Sequence, residues 1–457
     1  MKQGKVLPGA REKLPAWFSA AWSSRSVALS LNMAMGAYQG LYFTDVLGLN
    51  PLIIGTLLAV SKVMDAFTDL VIGFIVDKTH TKLGKARPYE FSIVFLWLCI
   101  FMMYSTPKMG TFATYAWVFI TYTLQSAVFI TILYGTDTVY LVRAVRTPEN
   151  RTKVTANTGV YTMIFSTIIG MIIPQVMQNI GDDRKSWSMV VLCIAIPCAT
   201  IGMLRFFLVP ELNAAEEIME EKQEKLTLKK AFSALKGNKY ILMFAVMYFC
   251  YHFSNGMSGG GQTYYLKYVV GDLGVGTWMN LGMVGVLVLL LFAPKLMAKF
   301  GTGNSLRAGL VLMLAGPIVR IIGGSNIFTL IFGQLVFVAG SVPIAFMLNV
   351  YLFECMDYGE WKTGTRVEGM MGSLTSFMAK VASAISGWAV GALMAATGYV
   401  GTSDVQTSAA IMGIKACFNY APIIIVLVAL LISLKYNLDK KLPEIKAELE
   451  KRHQNQA

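Results

Sequence analysis

The sequence predicts an all-α integral membrane protein with about twelve transmembrane helices arranged as two six-helix halves. Three observations carry this. First, 55% of the 457 residues are hydrophobic and 14% are charged, with a mean hydropathy of +0.56, whereas a soluble domain has about a quarter of its residues charged. Second, apolar stretches of roughly 20 residues, enough to cross about 30 Å of hydrocarbon as helix, recur along the chain and leave no segment long enough for a soluble domain. Third, the most polar interior stretch, Pro210 to Lys239, falls near the middle.

Taken in order, helices are expected at 17–43, 52–76, 89–106, 111–142, 154–179, 187–209, 239–268, 275–297, 307–323, 326–353, 369–397 and 408–436. The first follows the basic stretch MKQGKVLPGAREKLP. It is too long for a signal-peptide core and lacks a small-residue cleavage site, so it is expected to stay in the mature chain. The central stretch begins acidic, AAEEIMEEKQEK, and turns basic in LTLKKAFSALKGNK. There Leu226, Leu228, Phe232 and Leu235 beside Lys229, Lys230 and Lys236 suit either a short helix on the inner membrane surface or a solvated linker helix. The expected organisation is an N-terminal half at 1–209, a cytoplasmic linker at 210–238, a C-terminal half at 239–437 and a cytoplasmic tail at 438–457. DKTHTKLGKARP after helix 2 and APKLMAKFGTGNSLRAG after helix 8 echo each other as basic, Gly-containing turns, as two similar halves would.

The net charge of +13 needs no nucleic-acid partner. With both termini cytoplasmic, internal segments hold 29 of the 39 Lys and Arg residues, while external loops hold only Lys108, Arg184, Lys185 and Lys267. That is the positive-inside distribution. The six cysteines form no CxxC pair and have no His partner at ligand spacing, so they read as helix-packing residues.

An ionisable group in hydrocarbon costs at least about 2.5–3.5 kcal/mol on insertion scales, so each one is a candidate functional residue. In helix 2, Lys62, Asp65 and Asp69 are spaced i, i+3, i+7 and fall within about 60° of one helix face. Two adjacent carboxylates repel unless a cation or proton lies between them. This points to a coupling-cation site, with Thr68 adding a hydroxyl oxygen and Lys62 balancing the charge of the empty site; the alternative is an interhelix salt bridge. In helix 11, Ser373, Ser376, Lys380, Ser383 and Gly387 share one face. The small residues alone would mean close packing, but Lys380 needs a carboxylate, a solute or water. Helix 7 offers His252, Asn255 and Gly259 on one face, then the run Gly259-Gly260-Gly261. Three successive glycines weaken a helix, so a break lining a gate is expected there. For His252 the alternative is a satisfied interhelix hydrogen bond. Arg25 in helix 1, Asp137 in helix 4 and Arg320 in helix 9 are further candidates, and Glu354, Asp357 and Arg366 at the cytoplasmic end of helix 10 suit gate salt bridges.

The stretches KVMDAFTDLVIGFIVDKTHTKLGKARP and FECMDYGEWKTGTRVEG, with the tail from GYVGTSDVQTSAAIMG onward, resemble the glycoside/pentoside/hexuronide:cation symporters, a branch of the major facilitator superfamily. The resemblance spans nearly the whole chain. It implies a major facilitator fold and cation-driven uptake by alternating access, the halves rocking around a central site. It assigns the cation carboxylates to Asp65 and Asp69, and a lysine near the sugar and cation sites to Lys380, preceded by the polar pair Thr375 and Ser376. Other positions depart from the family. Thr68 stands where an asparagine is expected, Gly135 where helix 4 carries an acid or amide, and Ile132 where a threonine helps hold the cation, with Thr131 one residue away. Thr158 and Ala345 replace an arginine and a tryptophan, and Arg25 lies near the place of a helix-1 aspartate. The coupling machinery is thus kept while the sugar clamp is largely lost.

The expectation is a secondary active transporter in a bacterial inner membrane that couples Na+ or H+ to a glycoside, uronide or related small polar solute. Its partners would be that solute and membrane lipid, with no nucleic acid, no cofactor beyond the ion, and a monomeric state. Asp65 and Asp69 would hold Na+ if sodium is the ion, with Thr68 and Thr131 beside them; Lys380, Arg25, Ser376, Thr375, His252 and Asn255 would face the solute. Arg25 and Lys380 would make the cavity positive and favour an anionic solute, unless Arg25 pairs with Asp137 and Lys380 with a helix-2 acid. The alternatives are a lysolipid or amphiphile symporter and a non-transporting nutrient sensor. An enzyme is not expected, because no segment holds a nucleophile–base pair or a metal-spaced cluster.

Overall fold

The structure is a computed structural model and describes residues 13–79, 81–211, 237–346, 348–364 and 368–454. Most of the central linker, including its proposed surface helix, and Arg366 lie outside the described residues. The chain divides into two compact units, one holding the helices up to Leu208 together with 400–405, the other holding the remainder from 222.

The first unit contains α1 (Ala16–Gly36), α2 (Pro51–Lys78), α3 (Arg87–Tyr104), α4 (Thr111–Ala144), α5 (Pro148–Ile180) and α6 (Arg184–Leu208). The second contains α7 (Lys239–Tyr265), α8 (Val275–Phe300), α9 (Thr302–Gly323), α10 (Ile327–Thr363), α11 (Glu368–Ala396), α12 (Ser408–Ser433) and a tail helix, α13 (Leu438–Gln454). Among the described residues eight helices are long and apolar enough to cross a membrane by length and composition alone. The remaining long ones, α1, α2, α7 and α8, run 21 to 28 residues, and 21 residues at 1.5 Å each already span about 30 Å.

Helix starts are written in the sequence as caps. The first N–H groups of a helix have no intrahelical partner. Side chains of Asn50, Thr147, Asp183, Asn238 and Thr407 accept hydrogen bonds from them at the starts of α2, α5, α6, α7 and α12. Pro51 and Pro148 occupy the first helical turn, where the missing N–H costs nothing. The Thr147–Pro148 start begins α5 at Pro148, ahead of the expected residue 154.

Each unit repeats the same packing scheme. In the first, α1 lies against α5 and α6, α3 against α6, and α2 against α4; in the second, α7 lies against α11 and α12, α9 against α12, and α8 against α10. Local devices repeat as well. α1 is followed by a π-helical turn at Tyr42–Val46 and then Gly48 at φ 69°; α7 is followed by a π turn at Leu266–Val270 and then Gly271 at φ 81°. Arg87 Nε donates to the Phe206 carbonyl near the end of α6 at 2.9 Å, and Arg307 Nε donates to the Ser433 carbonyl at the end of α12 at 3.1 Å.

The α2–α3 turn is bolted down by Glu211. Its carboxylate accepts the backbone N–H groups of Lys85, Ala86 and Arg87 at 2.6–2.7 Å, with Arg143 Nε at 3.5 Å. In the second unit the Asp439 carboxylate sits against the α8–α9 turn, where a Cβ on Gly303 would meet it at 2.9 Å.

The expected break in α7 is not found. The helix runs unbroken through Gly259, Gly260 and Gly261 to Tyr265. Two of the three serve close packing instead: a Cβ on Gly260 would lie 3.1 Å from Val390 Cγ2 on α11, and one on Gly261 2.8 Å from Cys417 Cβ on α12, whereas one on Gly259 would meet nothing within 4 Å. Helix propensity is a weak prior, and tertiary packing overrides it here.

Candidate functional site

Two polar constellations lie inside the first unit. The first joins α2 to α4. The middle of α4 is a π-helical turn, Leu124–Ile130; such turns replace i→i+4 bonds by i→i+5 and recur at functional sites. Immediately after it, the buried Thr131 donates its hydroxyl to Asp65 Oδ1 at 2.5 Å. From α2, Thr68 Oγ1 reaches the Ala127 carbonyl inside the turn at 2.5 Å, and Ser61 meets Thr123 at 2.5 Å. The hydroxyl facing Asp65 therefore comes from Thr131, and position 132 does not supply it. Lys62 Nζ sits 6.0 Å from the centre of the Tyr122 ring. Asp69, one turn beyond Asp65, is exposed. The Asp65 carboxylate, the Thr131 hydroxyl and the Ala127 carbonyl are all oxygen donors, the type that suits a hard cation.

The second constellation is a buried ionic cluster drawn from four helices. Arg25 of α1 donates Nη1 to Glu90 Oε1 at 2.9 Å and Nη2 to Asp137 Oδ1. Arg205 of α6 donates Nη1 to Asp137 Oδ1 at 2.7 Å and places Nε 3.7 Å from Glu90 Oε1. Its guanidinium lies over the Trp22 ring at 3.4 Å and the Tyr140 ring at 4.6 Å. Two cations balance two anions, which is how ions are kept at membrane depth. Arg25, expected among the solute contacts, is instead sealed in this cluster with 1% exposure. Glu90 and Arg205 were not singled out in the sequence. The available signal was Arg205 three residues inside an apolar run.

In the second unit, Thr375 is buried, Ser376 exposed and Lys380 half-buried on α11; the Ser373 side chain lies outside the described residues. His252 stands edge-on between the rings of Tyr248 and Tyr251, with centroids at 4.6 and 4.9 Å, and its buried Nε2 has no hydrogen-bond partner among the described residues. Asn255 Nδ2 donates to the Tyr251 carbonyl at 2.9 Å. Of the proposed gate residues, buried Glu354 accepts the Thr302 hydroxyl at 2.9 Å, and Asp357 lies 4.0 Å from Lys446 of α13. Arg320 is wholly buried, donating to Gln334 Oε1 at 2.6 Å and to the Phe418 carbonyl at 3.0 Å.

The profile of a family described as "MFS/sugar transport protein" matches residues 25–440. The chain is 29% identical over 451 residues to the isoprimeverose transporter of Lactiplantibacillus pentosus, covering 95% of this chain and 91% of that one. It is 25% identical over 406 residues to a putative glycoside/cation symporter of Escherichia coli (strain K12), covering 84% and 83%. The solved structure of the nucleoside transporter NupG superposes with a TM-score of 0.64 at 11% identity over 92% of this chain and 98% of that one, a likeness of fold alone.

Proposed function

For a chain that belongs to the MFS/sugar transport protein family, we propose cation-coupled symport of a glycoside, uronide or related small polar solute by alternating access. The protein is a multi-pass membrane transporter of a family of transporters, not enzymes; its place in a bacterial inner membrane with both termini cytoplasmic is part of the proposal. The observation that carries the coupling is the Asp65–Thr131 hydrogen bond beside the α4 π turn. An anionic oxygen, a hydroxyl and a backbone carbonyl gathered within a membrane span have a purpose if a cation or proton visits them. Na+ or H+ would bind among Asp65, Asp69, Thr68 and Thr131, and Lys380, Thr375, Ser376, His252 and Asn255 are proposed solute-side residues. The relatives' names support the solute class, since one is called an isoprimeverose transporter and another a glycoside/cation symporter.

Reconstitution into proteoliposomes tests this. Radiolabelled glycosides should accumulate when a Na+ gradient or a pH gradient is imposed, and dissipating the effective gradient should abolish accumulation. Uptake that never exceeds equilibration under either gradient contradicts symport.

A further inference from the structure

In the first unit α5 and α6 each lie against α1 and not closely against each other. Between them runs an apolar groove of about 540 Å3, floored by Leu31 of α1 and walled by Ile169, Ile172 and Ile173 of α5 and by Met189 and Cys193 of α6. Ile169 and Ile173 are buried, while Ile172, Met189 and Cys193 are exposed, so the groove opens away from the unit. Both helices are long and apolar enough to cross a membrane, and hydrocarbon meets the outer faces of such helices. Isoleucine holds nearly one rotamer in a helix, which keeps the α5 wall preformed. The short Cys193 side chain leaves the room opposite.

An acyl chain suits this shape, but lipid tails are as apolar as the side chains, so apolar contact alone selects no lipid. Selection falls to the outer end. The turn at 181–183 joins the two walls and therefore closes the groove there. Lys185 stands four residues before Met189 and eight before Cys193, so the three share one face of α6 within about 80°, with Lys185 about 6 Å of helix above Met189. Asp182, Asp183 and Lys185 are exposed and Arg184 is half-buried. Asp183 Oδ2 accepts the Ser186 N–H at 2.8 Å and its hydroxyl at 2.7 Å. Residues 182–185 thus hold two acids and two bases. An anionic headgroup gains no net attraction from such a rim, whereas a headgroup with both a phosphate and an N–H-bearing ammonium finds a charge-assisted partner for each.

We propose that this groove holds a phosphatidylethanolamine, one acyl chain lying between α5 and α6, its phosphate on Lys185 and its ammonium on Asp182. The inference is independent of the solute and of the coupling ion. The second unit supplies a contrast. There a groove of about 440 Å3 lies between α11 and α12 over Phe253 and Met257 of α7, but 397–407, the segment joining those two helices, carries Asp404 and no base. Acyl chains enter both grooves, and headgroup preference belongs to the first.

The test places the full-length protein in phosphatidylcholine nanodiscs with a trace of phosphatidylethanolamine bearing a diazirine in one acyl chain, and maps the adducts by mass spectrometry after illumination. Adducts are expected at Ile172, Met189 and Cys193 in the first groove and at Trp388 and Ile424 in the second. Unlabelled phosphatidylethanolamine should suppress first-groove adducts at about fivefold lower mole fraction than phosphatidylglycerol, the factor that one basic residue contributes near a bilayer surface. At the second groove the two lipids should compete alike. Lys185→Gln should remove the preference and lower first-groove labelling about fivefold, leaving second-groove labelling unchanged. Cys193→Phe, which fills the groove and keeps the rim, should lower first-groove labelling as well. Both positions are exposed, so neither variant disturbs the interior. Equal competition by the two lipids at the first groove, stronger competition by phosphatidylglycerol, or first-groove labelling unchanged in Lys185→Gln overturns the proposal. So does an unlabelled groove crosslinked to a second copy of the chain.

Discussion

At the scale of single residues, Thr131 gives Asp65 a hydrogen-bond donor when the cation is absent and an oxygen neighbour when it is present. Thr131→Ala should therefore raise the cation concentration for half-maximal uptake several-fold, because the bound cation loses an oxygen neighbour, while Thr131→Ser should stay near the unmodified value. Cation titration of uptake in proteoliposomes separates the two. The ionic cluster makes a different demand. Arg205→Leu leaves Glu90 and Asp137 short of one counter-charge and should destabilise the protein by about 3–5 kcal/mol. The charge-balanced pair Arg205→Leu with Glu90→Leu should recover part of that loss, read as the melting temperature in detergent. Asp65 and Asp69 were conspicuous in the sequence because charges interrupt an apolar run mid-helix. Glu90 and Arg205 were not, because each lies within a few residues of a helix end, where a charge is ordinary. Their convergence depends on the turn of four separate helices, which no local pattern records.

Among the elements, glycine placement decides how closely helices approach. On α9 and α10, Gly309 faces Gly340 and Gly316 faces Gly333, and a Cβ at Gly316 would lie 2.5 Å from the Gly333 carbonyl oxygen. Such backbone-to-backbone contact is what small residues provide in membranes. Gly316→Val should cost about 1–3 kcal/mol as overpacking, whereas Gly181→Ala, where a Cβ meets open space, should act only through its φ of 63°. Thermal unfolding of the two variants checks the contrast. The same logic explains why the Gly259–Gly261 run misled: glycine lowers local helix propensity and also admits a neighbouring helix, and only the neighbours tell which applies. Tail helix α13 shows a surface counterpart. Buried Leu438, Ile445 and Leu449 seat it, Trp361 Nε1 donates to Glu448 at 2.6 Å, and Arg452 donates to the Trp361 carbonyl at 2.8 Å. The Trp361 indole, with Arg452, holds the Glu448 carboxyl below its usual range. A depressed carboxyl stabilises above its unfolded value and loses that contribution only as pH falls through the folded one. The tie therefore persists through neutral pH and into mild acid.

For the molecule as a whole, most of the helical plan could be read from apolar length, since the bilayer dictates it. The shared packing scheme of the two units could not, because helix order in space leaves no mark on hydropathy. The charge distribution makes a separate prediction about orientation. Cysteines introduced after Lys78 and in the 210–238 segment, on a background without the six native ones, should resist an impermeant reagent in intact cells and react in inverted vesicles; labelling in intact cells would reverse the topology. The central claim is that solute movement is coupled to a cation at Asp65 and Asp69. Its most direct measurement compares gradient-driven accumulation with equilibrium exchange of a transported glycoside in proteoliposomes, for the unmodified protein and for Asp65→Asn with Asp69→Asn. Coupling predicts that the double variant loses accumulation above the external concentration while exchange survives, because the vehicle still moves but no longer carries the ion. Concentrative uptake by that variant at the unmodified level would contradict it.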